Sequence, residues 1–170
     1  MRRLLVVAVA LIVVPSAAGA ITLTVTVTTG SPITAAGVTL NGVDQTKTFT
    51  VASKVVYDDT GGGGANTLGW KVNVSATAPT VAGRSLPFLI LTGVVPGTCA
   101  VDSSGNCTQP TNSVTWPITI NATPAKIFNA AANTGQGTVV LTSTYKITYP
   151  ANAIAGTYSS TVTYAIASGP

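Results

Sequence analysis

From Ile21 onward the chain consists of short runs that alternate apolar with polar positions, the period of a strand with one face buried. Ile21, Leu23, Val25 and Val27 alternate with Thr22, Thr24, Thr26 and Thr28, and no other stretch alternates as strictly. Gly30, Ser31 and Pro32 close this strand, and Ile33 to Leu40 followed by Asn41-Gly42 predicts a second short strand and a tight turn. Thr46 to Ala52 alternates around Phe49 and Val51, and Lys54 to Tyr57 predicts a further strand. A polar loop follows at Asp58, Asp59 and Thr60, then the glycine run Gly61 to Gly64, which permits any backbone angle. The next strand sets Trp70, Val72, Val74 and Ala76 on one side and Lys71, Asn73, Ser75 and Thr77 on the other.

Pro79 and Gly83 mark a loop, and the apolar run Leu86 to Leu91 predicts a strand buried on both faces, with a turn at Thr92 to Thr98. Val114, Trp116, Ile118 and Ile120 alternate with Thr115, Pro117, Thr119 and Asn121. Pro117 has no N–H to give a ladder, so this strand lies at an edge or is kinked. Lys126 to Ala132 alone has a helical flavour, and could equally be a loop carrying Phe128 inward. Val139 to Tyr149 and Thr157 to Ala167 are long alternating strands, joined either as a closing hairpin or as a connection between sheets. About eight to ten strands, with essentially no helix and no internal repeat, predict one antiparallel β-sandwich of Greek-key type over residues 21–170, a barrel being the alternative.

Residues 1–20 have the order of a secretory signal peptide: Arg2 and Arg3, the apolar run Leu4 to Val14, then Pro15 and small residues ending at Ala18, Gly19 and Ala20. The run is shorter than the roughly 20 residues of a membrane span, and the mature chain has no later apolar stretch that could serve as one. Cleavage after Ala20 is expected, giving a secreted, extracellular protein at the cell surface or wall. Without a cysteine just after the cleavage site or an LPxTG-like sorting motif, its attachment is expected to be non-covalent.

Once Arg2 and Arg3 leave with the leader, six cations, Lys47, Lys54, Lys71, Arg84, Lys126 and Lys146, face four aspartates. The cations are scattered, which argues against a nucleic-acid partner. Charged residues make up only 7% of the chain, so threonine, serine and asparagine must cover the solvent face. With no histidine and no glutamate, neither a Ser-His-Asp arrangement nor a His-based metal site can be assembled, and no cofactor is expected. Asp58 and Asp59, with Asp102, are weak candidates for calcium, because the spacing is not that of an EF-hand and capping aspartates explain the same residues. Cys99 and Cys107 enclose a turn-rich segment and in an exported chain predict a disulfide, which would stabilise by roughly 2.5 kcal/mol and fix a protruding loop. Both tryptophans occupy the apolar phase of their strands, which predicts core packing over sugar stacking.

The segment Gly69, Trp70, Lys71, Val72, preceded by Asp58, Asp59, Thr60 and Gly61, resembles one strand signature of the WxL domain of bacterial surface proteins. Gly156, Thr157 and Tyr158 leading to Tyr164, Ala165 and Ile166, with Pro170 beyond, resembles the other. Val72, Tyr164 and Ile166 stand where that family has Leu, Trp and Leu. The resemblance implies a non-catalytic domain associating non-covalently with peptidoglycan, with Trp70, Val72, Tyr164 and Ile166 at the motif positions. A mature chain with no cargo to tether also suits a structural subunit of a filament or coat. There Ile21, Leu23, Val25 and Val27 would form a donor strand inserted into a second copy. A carbohydrate-binding module is a further alternative.

Overall fold

The computed structural model describes residues 5–11, 21–29, 33–35, 37–59 and 68–170. Its strands in chain order are β1 (Leu5–Leu11), β2 (Ile21–Val27), β3 (Ile33–Ala35), β4 (Gln45–Asp59), β5 (Trp70–Ala76), β6 (Thr80–Val81), β7 (Arg84–Ser85), β8 (Leu89–Pro96), β9 (Ile118–Ile120), β10 (Ala125–Ala130), β11 (Gly137–Tyr149) and β12 (Tyr158–Ser168). Two sheets pack as a sandwich, the all-β architecture that the alternation predicts. Sheet A has the order β10-β5-β12-β1-β3, with the small hairpin β6–β7 hung on β12, and sheet B the order β2-β4-β11-β8-β9. Among the described residues every strand pairing is antiparallel except β1 with β12. No helix among the described residues is long and apolar enough to cross a membrane.

Alternation determines which residues meet. On β11, Val139, Leu141, Tyr145, Ile147 and Tyr149 are buried between the sheets while Thr142, Thr144 and Thr148 face outward or lie half-exposed. β12 contributes Tyr158, Val162, Tyr164 and Ile166 from the opposite sheet, and β5 contributes Trp70, Val72, Val74 and Ala76. These residues belong to one continuous core.

Several elements differ from the sequence pattern, each for an identifiable reason. The two runs Thr46 to Ala52 and Lys54 to Tyr57 are one strand, β4, because Ser53 occupies an inward position and is fully buried between Val51 and Val55. Leu86 is buried, but Pro87 and Phe88 are exposed, so β8 begins at Leu89 and is not the strand buried on both faces expected from Leu86 to Leu91. It continues to Pro96 through the expected turn at Thr92 to Thr98, because a register shift beside Gly93 absorbs the break in alternation. Of the expected Val114 to Asn121 strand only Ile118–Ile120 pairs, since Pro117 cannot donate. The helical flavour of Lys126 to Ala132 is a bulge: β10 shifts register between Lys126 and Phe128, so Ile127, Phe128, Asn129 and Ala130 are buried consecutively. β11 and β12 lie in different sheets and so form a crossover, not a hairpin. Leu5–Leu11, within the segment expected to be a leader, forms β1, paired with β12 and β3.

The sheets are tied at their centre by Tyr145 of β11 and Tyr164 of β12, whose hydroxyls lie 2.6 Å apart in a buried hydrogen bond. Phe49 stacks on Tyr145 at 5.4 Å, and Tyr149 meets Tyr158 edge-on at 6.2 Å. Burial in this apolar layer raises the Tyr145 hydroxyl well above the usual tyrosine range and pushes Tyr164 up to about 12. The Ser143 hydroxyl stands close enough to ease ionisation of both slightly, yet it makes no hydrogen bond of good geometry, and neither does that of Ser53.

Both tyrosines keep their protons in the fold at pH values where an unfolded chain has lost them. Stability is therefore intact below pH 10 and falls as pH rises toward about 12, by about 1.4 kcal/mol per pH unit for each proton held. Urea midpoints measured across this range check the slope, and Tyr164→Phe should flatten it. Ser53→Ala removes a buried hydroxyl that has no partner and should stabilise by about 1 kcal/mol. A lowered midpoint would contradict it.

Candidate functional site

The motif strands are adjacent in the fold. β5 pairs antiparallel with β12 so that Val72 lies opposite Ile166, Val74 opposite Tyr164 and Trp70 opposite Ser168. Trp70, Val72 and Tyr164 are wholly buried, and Ile166 is nearly so. The four motif positions thus form one interior patch and present no side chain to a ligand.

The Gly-Trp order follows from this packing. The Trp70 indole packs 5.9 Å from Phe128 and donates its only N–H to the Gly135 carbonyl at 2.8 Å. Gly69 adopts φ +66, and a Cβ there would run into the backbone of Ala130 and Ala131. Gly135, at φ +76, has no room either, since a Cβ would lie 2.6 Å from the Trp70 indole nitrogen. At the other end Gly169 donates its N–H to the Gly69 carbonyl at 3.0 Å, joining the end of the closing strand to the start of the motif.

Cys99 and Cys107 form the disulfide, with Cα atoms 5.9 Å apart. The loop they close is organised by Asp102, whose Oδ1 accepts the backbone N–H groups of Ser104 at 2.9 Å and Asn106 at 2.8 Å, while Oδ2 accepts from the Gln136 side chain at 3.1 Å. Ser103 donates to Asp58 Oδ1 at 2.7 Å, which anchors the loop to the end of β4. Of the calcium candidates, Asp102 therefore works as a turn cap and Asp58 as an anchor. Among the described residues no three His, Cys, Asp or Glu side chains converge as a metal site would require. Asp59 is paired through its backbone to Ile21, and Gly61 to Gly64 lie outside the described residues.

Two asparagines, Asn112 and Asn129, are engaged within the fold. Asn112 Oδ1 accepts the N–H groups of Val114 and Asn129, and buried Asn129 accepts from the backbone and hydroxyl of Ser113. Together they fasten residues 112–114 to β10. The aromatics offer no platform: Phe88 is exposed, Trp116 is half-buried and donates to the Ile127 carbonyl, and the others are buried. A cleft between Arg84, Ser85, Leu86, Pro150, Asn152 and Tyr158 holds about 80 Å³, well below the roughly 300 Å³ at which small-molecule pockets begin.

The outer face of sheet B is broad and coherent. Register sets Thr26 of β2 beside Lys54 of β4 and Val140 of β11. The next rows pair Ala52 with Thr142 and Val95, Thr50 with Thr144 and Gly93, Thr48 with Lys146 and Ile90, and Thr46 with Thr148. Thr22 and Thr24 extend the face along β2. Hydroxyls thus recur at about 4.8 Å across strands and about 6.8 Å along them. Two exposed valines, Val95 and Val140, two ammonium groups, Lys54 and Lys146, and the Asp58 carboxylate beside Thr22 complete the surface. Single-strand alternation foretells that threonines face water; only the register gathers them into one array.

Comparison with known protein-family profiles gives no match, and comparison with curated proteins gives none either. The residues expected as a donor strand form β2, which pairs with β4 along its length; Val25 is fully buried, and Leu23 and Val27 pack on the core.

The packing around the motif predicts large effects of small changes. Gly69→Ala forces a left-handed backbone onto alanine and a clash with main chain, and should destabilise by at least about 2 kcal/mol. Trp70→Phe strands the Gly135 carbonyl and leaves a void, and should destabilise by about 2–4 kcal/mol. Urea denaturation of each variant checks both figures.

Proposed function

We propose that this is an exported, non-catalytic surface protein that associates non-covalently with the bacterial cell wall, peptidoglycan being the polymer, through the outer face of sheet B. The observation that carries this reading is the threonine array itself, a nearly uncharged, hydroxyl-bearing plane spanning β2, β4 and β11. An extended glycan presents hydroxyls and amides along its length and can exchange water for such a plane over many weak contacts, without a pocket. Lys54 and Lys146 would meet the carboxylates of wall peptides, and Val95 and Val140 the apolar faces of the sugars. The lack of histidine and glutamate supports a role without chemistry. The resemblance of the two buried motif strands to the WxL domain supports the same reading, with those residues serving the fold and not the contact.

Sedimentation with isolated, protein-free walls tests it. The processed protein should pellet with walls, and Thr50→Glu combined with Thr142→Glu should weaken binding at least tenfold by setting carboxylates against an anionic polymer. Thr80→Glu, on the small β6–β7 hairpin, should bind as the parent does. Undiminished binding by the double variant, with an unchanged denaturation midpoint, would remove sheet B from the reading.

A further inference from the structure

The sheet A edge of β12 needs a cover that the mature chain by itself supplies only in part. β1 runs parallel to β12 from Leu5 opposite Tyr158 to Leu11 opposite Tyr164, seven consecutive positions, and in turn carries β3 on its far side. β1 lies inside residues 1–20, the segment expected to leave on export, so this inference rests on the export reading above. Removing it exposes the ladder groups on one edge of β12 and takes from β3 its sole strand partner among the described residues. β3 has three residues, so even docked directly on β12 it would cover under half of the vacated length.

β12 is unprotected as an edge. Its sequence, YSSTVTYAIAS, has no charged residue and no proline, and its pairing with β5 shows no register shift. Natural sheets guard their open edges with such features because a bare, uncharged edge recruits another strand. Two other edges carry such guards: β10, at the far edge of sheet A, has Lys126 and a bulge, and β9, at one edge of sheet B, is three residues long and follows Pro117. β2, at the other edge of sheet B, carries none of them, but no strand is taken from it on processing.

We infer that leader removal opens β12 as a homotypic docking edge, and that the processed protein pairs β12 antiparallel with β12 of a second copy about a two-fold axis at Thr163, the middle of the strand, so that Thr163 lies opposite its own counterpart. A second copy fits because the edge is self-complementary. It has no charge to repel its twin, the inward row Val162 and Tyr164 stays inward on both sides of such an axis, and one contact closes both open edges at once. Exchange of β2 would instead uncover buried Val25 and open the edge of β4. The unprocessed chain is blocked from pairing by its own β1, so assembly waits for export.

The full chain is exported and the processed form collected. An unprocessed form carries Ala18→Phe with Ala20→Phe, which removes the small residues that leader peptidase requires. Light scattering should give twice the subunit mass for the processed protein and the single mass for the unprocessed one. Thr163→Cys, on the outer face of β12, should cross-link into a covalent dimer under mild oxidation only after processing. A soluble peptide bearing residues 5–11 between lysines should return the dimer to monomer. A processed protein that stays monomeric at its highest soluble concentration overturns the inference. So does a dimer that ignores Thr163→Cys, or one that cross-links Thr24→Cys to Thr163→Cys as N-terminal strand exchange would. Wall sedimentation of the same samples separates the two proposals: monomers that bind walls refute edge pairing alone, and dimers that do not bind refute wall association alone.

Discussion

The seating of one indole constrains the rest of this fold. Trp70 has a large apolar ring system and a single N–H, so it can be buried only where dry surface surrounds it and one acceptor is aimed at that N–H. The Gly135 carbonyl is that acceptor, and it reaches the indole because neither Gly135 nor Gly69 has a side chain to hold the backbones apart. This brings the start of β5 against the end of β10 and the turn before β11. β12 then lies along the other side of β5, with Ile166 opposite Val72. Three segments distant in sequence are thereby held around one side chain.

The second constraint is between the layers. Two tyrosines facing each other from opposite sheets would each bury a hydroxyl at high cost if alone; joined at 2.6 Å they satisfy one another and mark how deeply the sheets interlock. With the motif residues and all aromatic rings but Phe88 and Trp116 turned inward, the outer face of sheet B is left largely to threonine. The proposed wall association rests on that threonine surface, which can offer many weak contacts to a polymer rich in hydroxyls. The cystine loop, organised by Asp102 and anchored to Asp58, adds local rigidity at the end of β4. Edge coverage is a separate matter, since main-chain groups of a strand seek partners whatever its side chains do.

Much of this was legible in the chain. The alternation at Trp70 to Ala76, Val139 to Tyr149 and Thr157 to Ala167 marks strands and their inward faces, and the cysteine spacing marks the disulfide. Less was legible wherever a local exception mimicked another pattern. A buried serine split β4 in two, a bulge gave β10 consecutive buried residues, and Gly93 disguised the middle of β8 as a turn.

The sequence by itself determined the class of the fold, the inward set of residues and the absence of histidine and glutamate, because side-chain period and composition are properties of the chain taken one stretch at a time. Only the tertiary structure decided that the two motif strands are neighbours, that β11 and β12 face each other from different sheets, and that the threonines of β2, β4 and β11 form one plane. Those facts depend on inter-strand register, which backbone hydrogen bonds set between segments far apart and which no local pattern encodes.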